Sequence, residues 1–130
     1  MQAVDTNVLV RIFTQDDPTQ TAAATGLFSE GTIWISRTVL LETSWVLTSG
    51  YSFTPAAVAE AFGLLLGASN IRVEDEESVA EAIALVGKGL QFPDALHLTG
   101  MPPNARFFTF DKTFVARAKR SGITRISAIE

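Results

Sequence analysis

The sequence predicts an α/β fold of three layers, with a central, mostly parallel β-sheet flanked by helices on both faces. Short apolar runs typical of buried strands alternate with longer segments of helical periodicity along almost the whole chain. Strands that are separated by helices pair in parallel, and the helices then cover both faces of the sheet. With 130 residues, of which 47% are hydrophobic, the chain is long enough to bury a core. We therefore expect residues 1–130 to form one domain.

Apolar runs and capping residues define the first elements. The run Gln2–Asp5 predicts the first strand, and the helix after it is expected to reach about Phe13. Asp16-Asp17-Pro18 supplies an N-cap followed by proline at the first helical position, so a second helix should extend to roughly Phe28. The next apolar run, Thr32–Ile35, predicts the second strand.

The third helix should begin at Ser36 or Thr38, either of which can cap it, and end near Ser49. Apolar residues point to nearly every side of this helix, so we expect it to be buried. Trp45 on this helix and Trp34 on the preceding strand are accordingly predicted to lie in the core rather than to stack on nucleic-acid bases.

The second half of the chain continues the alternation. The Thr54-Pro55 pair caps a helix that ends at Gly67, and Ile71–Val73 predicts a brief strand. Acidic residues from Glu74 onward favour the N-terminal end of the next helix, where the helix dipole is positive. The remaining predicted elements are a short helix from Phe92 to about Gly100, a strand from Arg106 to Phe110, a basic helix from Thr113 to Ser121 and an edge strand over Thr124–Ile126.

Composition excludes several classes of protein. No apolar run approaches the ~18 residues of a membrane span and the N-terminus lacks a secretion signal, so we expect a cytoplasmic protein without a membrane partner. The absence of cysteine excludes disulfides, thiolate metal sites and cysteine nucleophiles. A net charge of -4 argues against a broadly basic nucleic-acid binder, although the C-terminal end is basic and the segment Glu74–Glu81 is acidic.

Four acidic residues stand apart from that acidic segment: Asp5, Glu42, Asp94 and Asp111. Asp5 and Asp111 each follow an apolar run, at the strand ends where open α/β sheets bind ligands. Glu42 lies inside an apolar helix, where capping cannot explain it, and Asp94 opens a helix. Lone acids in such places are often structural, but carboxylates brought together would repel unless a cation held them. An all-oxygen set of this kind suits Mg²⁺ or Mn²⁺.

Four ordered segments carry a family resemblance. Val4-Asp5-Thr6-Asn7-Val8-Leu9, the helix glutamate Glu42, Phe92-Pro93-Asp94-Ala95-Leu96-His97-Leu98 and Thr109-Phe110-Asp111 resemble the successive signatures of PIN-domain ribonucleases, and more closely those of VapC-like toxins from toxin–antitoxin pairs. The resemblance implies a PIN-like α/β/α fold and metal-dependent endoribonuclease activity with Mg²⁺ or Mn²⁺. It also implies a homodimer that is silenced by a small antitoxin protein.

By the same resemblance, the four acids are the catalytic metal ligands, and Thr6 or Asn7, together with Thr109, support them. Many relatives carry an additional aspartate where this chain has Gln91, a difference that would weaken a second metal site. His97 lies one helical turn after the third acid, and we expect it to pack or to support that acid rather than to transfer protons.

Basic residues of the last helix are expected to contact the phosphate backbone of RNA without reading its sequence. These residues are Lys112, Arg117, Lys119 and Arg120.

Three other functions fit parts of the pattern. A haloacid-dehalogenase-like phosphatase would use Asp5 as its nucleophile, but it needs a second acid two residues on, where this chain has Asn7. A receiver domain would need adjacent N-terminal acids and a late lysine after a strand, and neither pattern is clean. A catalytically weak or inactive PIN-like module that only binds RNA or protein stays open.

Overall fold

The structure, a computed structural model, describes all 130 residues. It contains seven helices and five short strands. In chain order the elements are β1 (Gln2–Ala3), α1 (Thr6–Thr14), α2 (Pro18–Phe28), β2 (Ile33–Ile35), α3 (Arg37–Gly50), α4 (Pro55–Gly67), β3 (Ile71–Val73), α5 (Glu76–Val86), α6 (Phe92–Thr99), β4 (Phe107–Thr109), α7 (Lys112–Arg120) and β5 (Ile126–Ala128). The predicted alternation of strands and helices is confirmed.

Side-chain caps set the starts of most helices. Asp17 and Thr54 each accept a hydrogen bond from a backbone N–H of the first turn, and each precedes a proline at the start of its helix. Ser36, rather than Thr38, caps α3 by accepting from the N–H of Val39 at 3.2 Å. These caps satisfy backbone donors that have no partner within the helix, which explains why the helix starts were predictable.

All strand pairs are parallel, as expected, but they form two sheets rather than one. β1, β2 and β3 pair side by side in that order, and β4 pairs with β5 separately. The predicted first strand is too long, because the chain leaves the sheet after Ala3 and Asp5 already caps α1. Because β1 is only two residues long, it has few backbone N–H and C=O groups with which another strand could pair. The last strand begins two residues later than predicted, at Ile126.

The core is one cluster of 25 buried hydrophobic residues that runs from Val4 to Ile126 in the chain. Phe62 and Phe92 lie within it, with ring centroids 4.8 Å apart in an edge-to-face arrangement that aromatic pairs favour. None of the seven helices has both the length and the apolar character needed to cross a bilayer.

The expectation that α3 is buried on nearly every side is wrong. The helix buries one face, which includes Thr43 and Ser44, whose hydroxyls donate to carbonyl oxygens of their own helix at 2.7 Å. These internal hydrogen bonds allow two polar residues to be buried. The opposite face reaches solvent, and Trp45 there is 52% exposed, so its predicted place in the core is also wrong. Trp34 is partly buried.

Arg37, the first residue of α3, connects three helices. Its guanidinium donates to the hydroxyl of Ser78 in α5 and, at 2.7 Å, to the carbonyl oxygen of Leu96 in α6. Asp75, just before α5, lies 3.8 Å from the same guanidinium. Hydrogen bonds from a charged donor are stronger than those between neutral groups. Arg37, which is largely buried, therefore fixes α6 relative to α3 and α5.

Candidate active site

Asp5 and Glu42 are connected through Thr6. Asp5 caps α1 by accepting from the N–H of Val8 at 3.4 Å, and the hydroxyl of Thr6 donates to Glu42 at 3.4 Å. The contact brings residues 36 positions apart in the chain together, because α1 packs against α3. Glu42 is exposed and not enclosed in an apolar helix, so its carboxylate is accessible beside the start of α1.

Asp94 and Asp111 form a second electrostatic pair. Asp94 is partly buried in the first turn of α6, and this burial, followed by the charge of Asp111, raises the pKa of its carboxyl above the usual value. The charges of His97 and Arg117 act in the opposite direction and lower the pKa of Asp94.

Asp111 and Thr109 are fixed at the turn between β4 and α7. Asp111 caps α7 by accepting from the N–H of Phe114 at 3.0 Å. Its own N–H donates to the hydroxyl of Thr109 at 3.0 Å. Thr109 therefore supports the turn that carries this acid, while the acid itself also has a structural role as a cap.

The two pairs lie on packed helices but do not merge into one cluster. A cavity of about 200 Å³ between α3, α4 and α6 is lined by Trp45 and Asp94 among nine residues, and Glu42 is not one of them. Trp45 follows Glu42 by about one helical turn. The acidic and histidine side chains form no group of three or more that could together hold a metal ion. A metal site shared by all four acids therefore stays a prediction.

The donor chemistry of the four acids fits a divalent cation. The structure has two salt bridges, Arg11–Asp16 and Arg37–Asp75, and neither involves any of the four. Carboxylates without a cationic side chain as partner keep their oxygens available for Mg²⁺ or Mn²⁺, which both prefer oxygen ligands.

Two predicted supporting residues have other neighbours. The imidazole of His97 stacks on Phe107 with ring centroids 6.0 Å apart, in agreement with a packing role, and its influence on Asp94 is electrostatic. Asn7 is exposed and lines a separate cavity between α1 and α2. Of the first-signature polar residues, Thr6 and not Asn7 therefore contacts an acid.

The basic residues predicted to contact RNA divide into two groups. Arg117 and Arg120 line a cavity of about 380 Å³ together with Lys88, whereas Lys112 and Lys119 lie outside it. Lys88 was not among the residues proposed from the sequence, because it stands alone in the Gly87–Gly89 loop, 29 positions before Arg117. Only its flanking glycines, which favour an exposed turn, gave any signal.

A comparison with protein families decides the classification. The model of the PIN domain family matches residues 3–120. The chain belongs to the PIN domain family. No curated protein and no solved structure matches this chain.

The family match confirms the predicted resemblance at its coarser level. PIN domains have an α/β fold and are generally nucleases that use divalent metals, so membership indicates a nuclease-type hydrolase. The match covers the four signature segments up to Asp111.

Proposed function

We propose that this PIN-domain chain is an endoribonuclease that hydrolyses RNA phosphodiester bonds with Mg²⁺ or Mn²⁺ held by Asp5, Glu42, Asp94 and Asp111. The observation that carries the proposal is that none of these acids has a cationic partner within the protein. They lie in the segments that resemble the family's signatures, within the range matched by the family, and none has a cationic side chain in a salt bridge. Acids that no side chain neutralises are the ligands that a divalent cation requires.

The contribution of the chain's own residues follows from their contacts. A divalent cation, when bound, supplies Lewis-acid chemistry that lowers the pKa of a water molecule and stabilises charge on the phosphate. Thr6 orients Glu42 by its hydrogen bond, and Thr109 holds the backbone that carries Asp111. No cysteine is present to act as a covalent nucleophile, which agrees with direct hydrolysis by water.

We further propose that the chain is the toxin of a toxin–antitoxin pair, acting in the cytoplasm as a homodimer that a small antitoxin silences. The resemblance of the four signatures to VapC-like toxins supports this proposal. Large apolar side chains exposed on the surface, among them Phe108 and Phe110, supply the kind of contact area that protein interfaces use. An antitoxin-like reading frame immediately upstream of the gene is the expected observation.

Cleavage of labelled RNA by the full chain tests the nuclease proposal. Products are expected with Mn²⁺ or Mg²⁺ and not with EDTA, and both Asp5→Asn and Glu42→Gln should abolish them. Glu77→Gln is the matched control, because it removes an exposed acid that lies outside both pairs. Cleavage that persists in both site variants would overturn the assignment. RNA binding without cleavage under any metal condition would favour the non-catalytic PIN-like module instead.

A further inference from the structure

Three cationic side chains meet in one cavity next to the candidate active site. Lys88 from the loop before α6, and Arg117 and Arg120 from α7, line it together with Pro55, Gly89 and Gln91. The cavity measures about 380 Å³ and contains no hydrophobic and no acidic side chain. Like charges gathered in this way repel one another and favour an anionic ligand.

None of these three cationic side chains forms a salt bridge or hydrogen bond that would explain its position in the fold. Of the chain's 10 lysines and arginines, five arginines donate side-chain hydrogen bonds: Arg11, Arg37, Arg72, Arg106 and Arg125. Lys88, Arg117 and Arg120 take part in neither salt bridge and donate no side-chain hydrogen bond. Their charges are therefore available to a ligand.

This cationic cavity adjoins the one that contains Asp94. Pro55 and Gln91 line both cavities, so the two are neighbours on the surface and these residues lie between them. Trp45 lines the first cavity together with Gln91 and is half exposed. One cavity thus holds an acid of the candidate site and an aromatic face, and the neighbouring cavity holds a group of cations.

We propose that these two cavities form a binding track for single-stranded RNA, in which a base stacks on Trp45 and backbone phosphates bind to Lys88, Arg117 and Arg120. The proposal rests on the nuclease function above and deepens it by stating how the substrate lies. Aromatic platforms combined with cationic grooves are the general means by which proteins hold single strands. Phosphate contacts of this kind position the strand without specifying its sequence.

Nucleic acid explains the whole arrangement better than an acidic protein does. An acidic peptide would use the cations alone, whereas every base offers a flat π-face to an exposed indole. Arg117 lines the cavity that shares Pro55 and Gln91 with the one containing Asp94, so a phosphate bound by Arg117 lies next to the candidate site.

Salt-dependent binding of a short, fluorescein-labelled single-stranded RNA tests the cationic half of the track. The full chain is used in EDTA, so that binding is measured without cleavage. Arg120→Gln and Lys88→Gln should each weaken binding several-fold and reduce the slope of log K against log salt by roughly 0.7, the value for one lost phosphate contact on a single strand. Lys119→Gln removes the same charge from the same helix outside the cavity, and its effect on the slope should be smaller.

Tryptophan fluorescence tests the aromatic half. Trp45→Ala should weaken RNA binding by roughly five- to a hundredfold, the range for a lost base stack, and Trp45→Phe should restore part of it. RNA should quench the fluorescence of a Trp34→Phe variant, whose remaining indole is that of Trp45, and should leave a Trp45→Phe variant unquenched. Thermal unfolding midpoints of all variants check that each is folded.

The outcomes separate this inference from the nuclease proposal. If Arg120→Gln and Lys88→Gln bind RNA as Lys119→Gln does, the track is overturned, whether or not the wild-type chain cleaves RNA. If the variants behave as expected but no metal supports cleavage, the nuclease proposal fails and the track stands. An oligoglutamate peptide that depends on the same cations as strongly as RNA, with Trp45 irrelevant to both ligands, would assign the surface to an acidic protein and overturn the RNA assignment.

Discussion

The chain contains two sets of acids, and their surroundings differ. In the acidic segment Glu74–Glu81, Glu74 accepts from the backbone N–H of Arg37 at 2.9 Å. Asp75 lies 3.8 Å from the guanidinium of Arg37 and accepts from Ser78 at 2.8 Å. Glu76 and Glu77 stand in the first turn of α5, where the helix dipole stabilises negative charge.

The four signature acids form no salt bridge, although Asp5 and Asp111 cap helices and Asp94 lies in the first turn of one. Asp5 and Asp111 accept one backbone N–H each, Glu42 accepts a hydroxyl, and Asp94 is destabilised by burial and by Asp111. The two sets differ in their cationic partners, because Arg37 balances part of the acidic segment whereas no lysine or arginine forms a salt bridge with a signature acid. That difference leaves the signature acids for the divalent cation that we propose. Each prediction below tests this difference.

The largest effect is expected on catalysis. Asp94→Asn and Asp111→Asn should each lower metal-dependent RNA cleavage by more than the roughly 10- to 100-fold loss that is typical of a residue that only supports a metal ligand. Glu81→Gln, in the acidic segment, should retain wild-type rates. Initial rates of cleavage at saturating Mn²⁺ provide the measurement. If substitutions in the acidic segment lowered the cleavage rate as much as those of the signature acids, the two sets would not differ in function.

The next effect concerns Arg37, whose contacts neutralise the acidic segment and hold α6. Arg37→Ala should lower the free energy of unfolding by about 2 kcal/mol, because hydrogen bonds that involve a charged group contribute roughly 1.5–3 kcal/mol. Urea unfolding followed by circular dichroism measures this change. Arg72→Ala is the control, since Arg72 donates only to nearby carbonyl oxygens in its own segment.

Gly100→Ala tests the hydrogen bond from Arg37 to Leu96 without removing a charge. A Cβ at this position would lie 2.5 Å from the guanidinium of Arg37, so the arginine must move away from Leu96. We expect a lower free energy of unfolding than in the wild type and little additional loss in the Arg37→Ala, Gly100→Ala double variant. Fully additive losses would show that the two substitutions act independently.

The smallest expected effect is a gain in stability at Asp94. Because the pKa of Asp94 is raised on folding, its ionised form costs stability once the pH exceeds the folded pKa. In EDTA at pH 7, Asp94→Asn should therefore unfold at a higher temperature than the wild type. The difference should shrink as the pH falls and vanish below the ordinary carboxyl value of 3.8, where the aspartate is protonated in both states.

Addition of Mn²⁺ sharpens this last prediction. A ligand that binds only the folded state stabilises that state. Mn²⁺ should therefore raise the unfolding temperature of the wild type above that of the Asp94→Asn variant. An Asp94→Asn chain that gains as much from Mn²⁺ as the wild type would exclude Asp94 as a ligand.

Short-range features were predictable from the sequence by itself. The caps Asp17, Ser36 and Thr54 bond N–H groups three residues away, so the neighbouring residues contain the whole signal. The α/β alternation and the PIN signatures were predictable for the same reason: each strand, helix or signature is recognised from a short run of neighbouring residues. The family match over residues 3–120 confirms that resemblance.

Only the tertiary structure decided which residues meet across the chain. The division of the strands into two sheets, the exposure of Trp45 and the bond from Arg37 to Leu96, 59 positions away, depend on how helices pack. The meeting of Lys88 with Arg117 and Arg120 is of the same kind. Periodicity states which face of a helix is apolar, but the exposure of that face depends on neighbours far away in the sequence, and packing alone brings those neighbours into place.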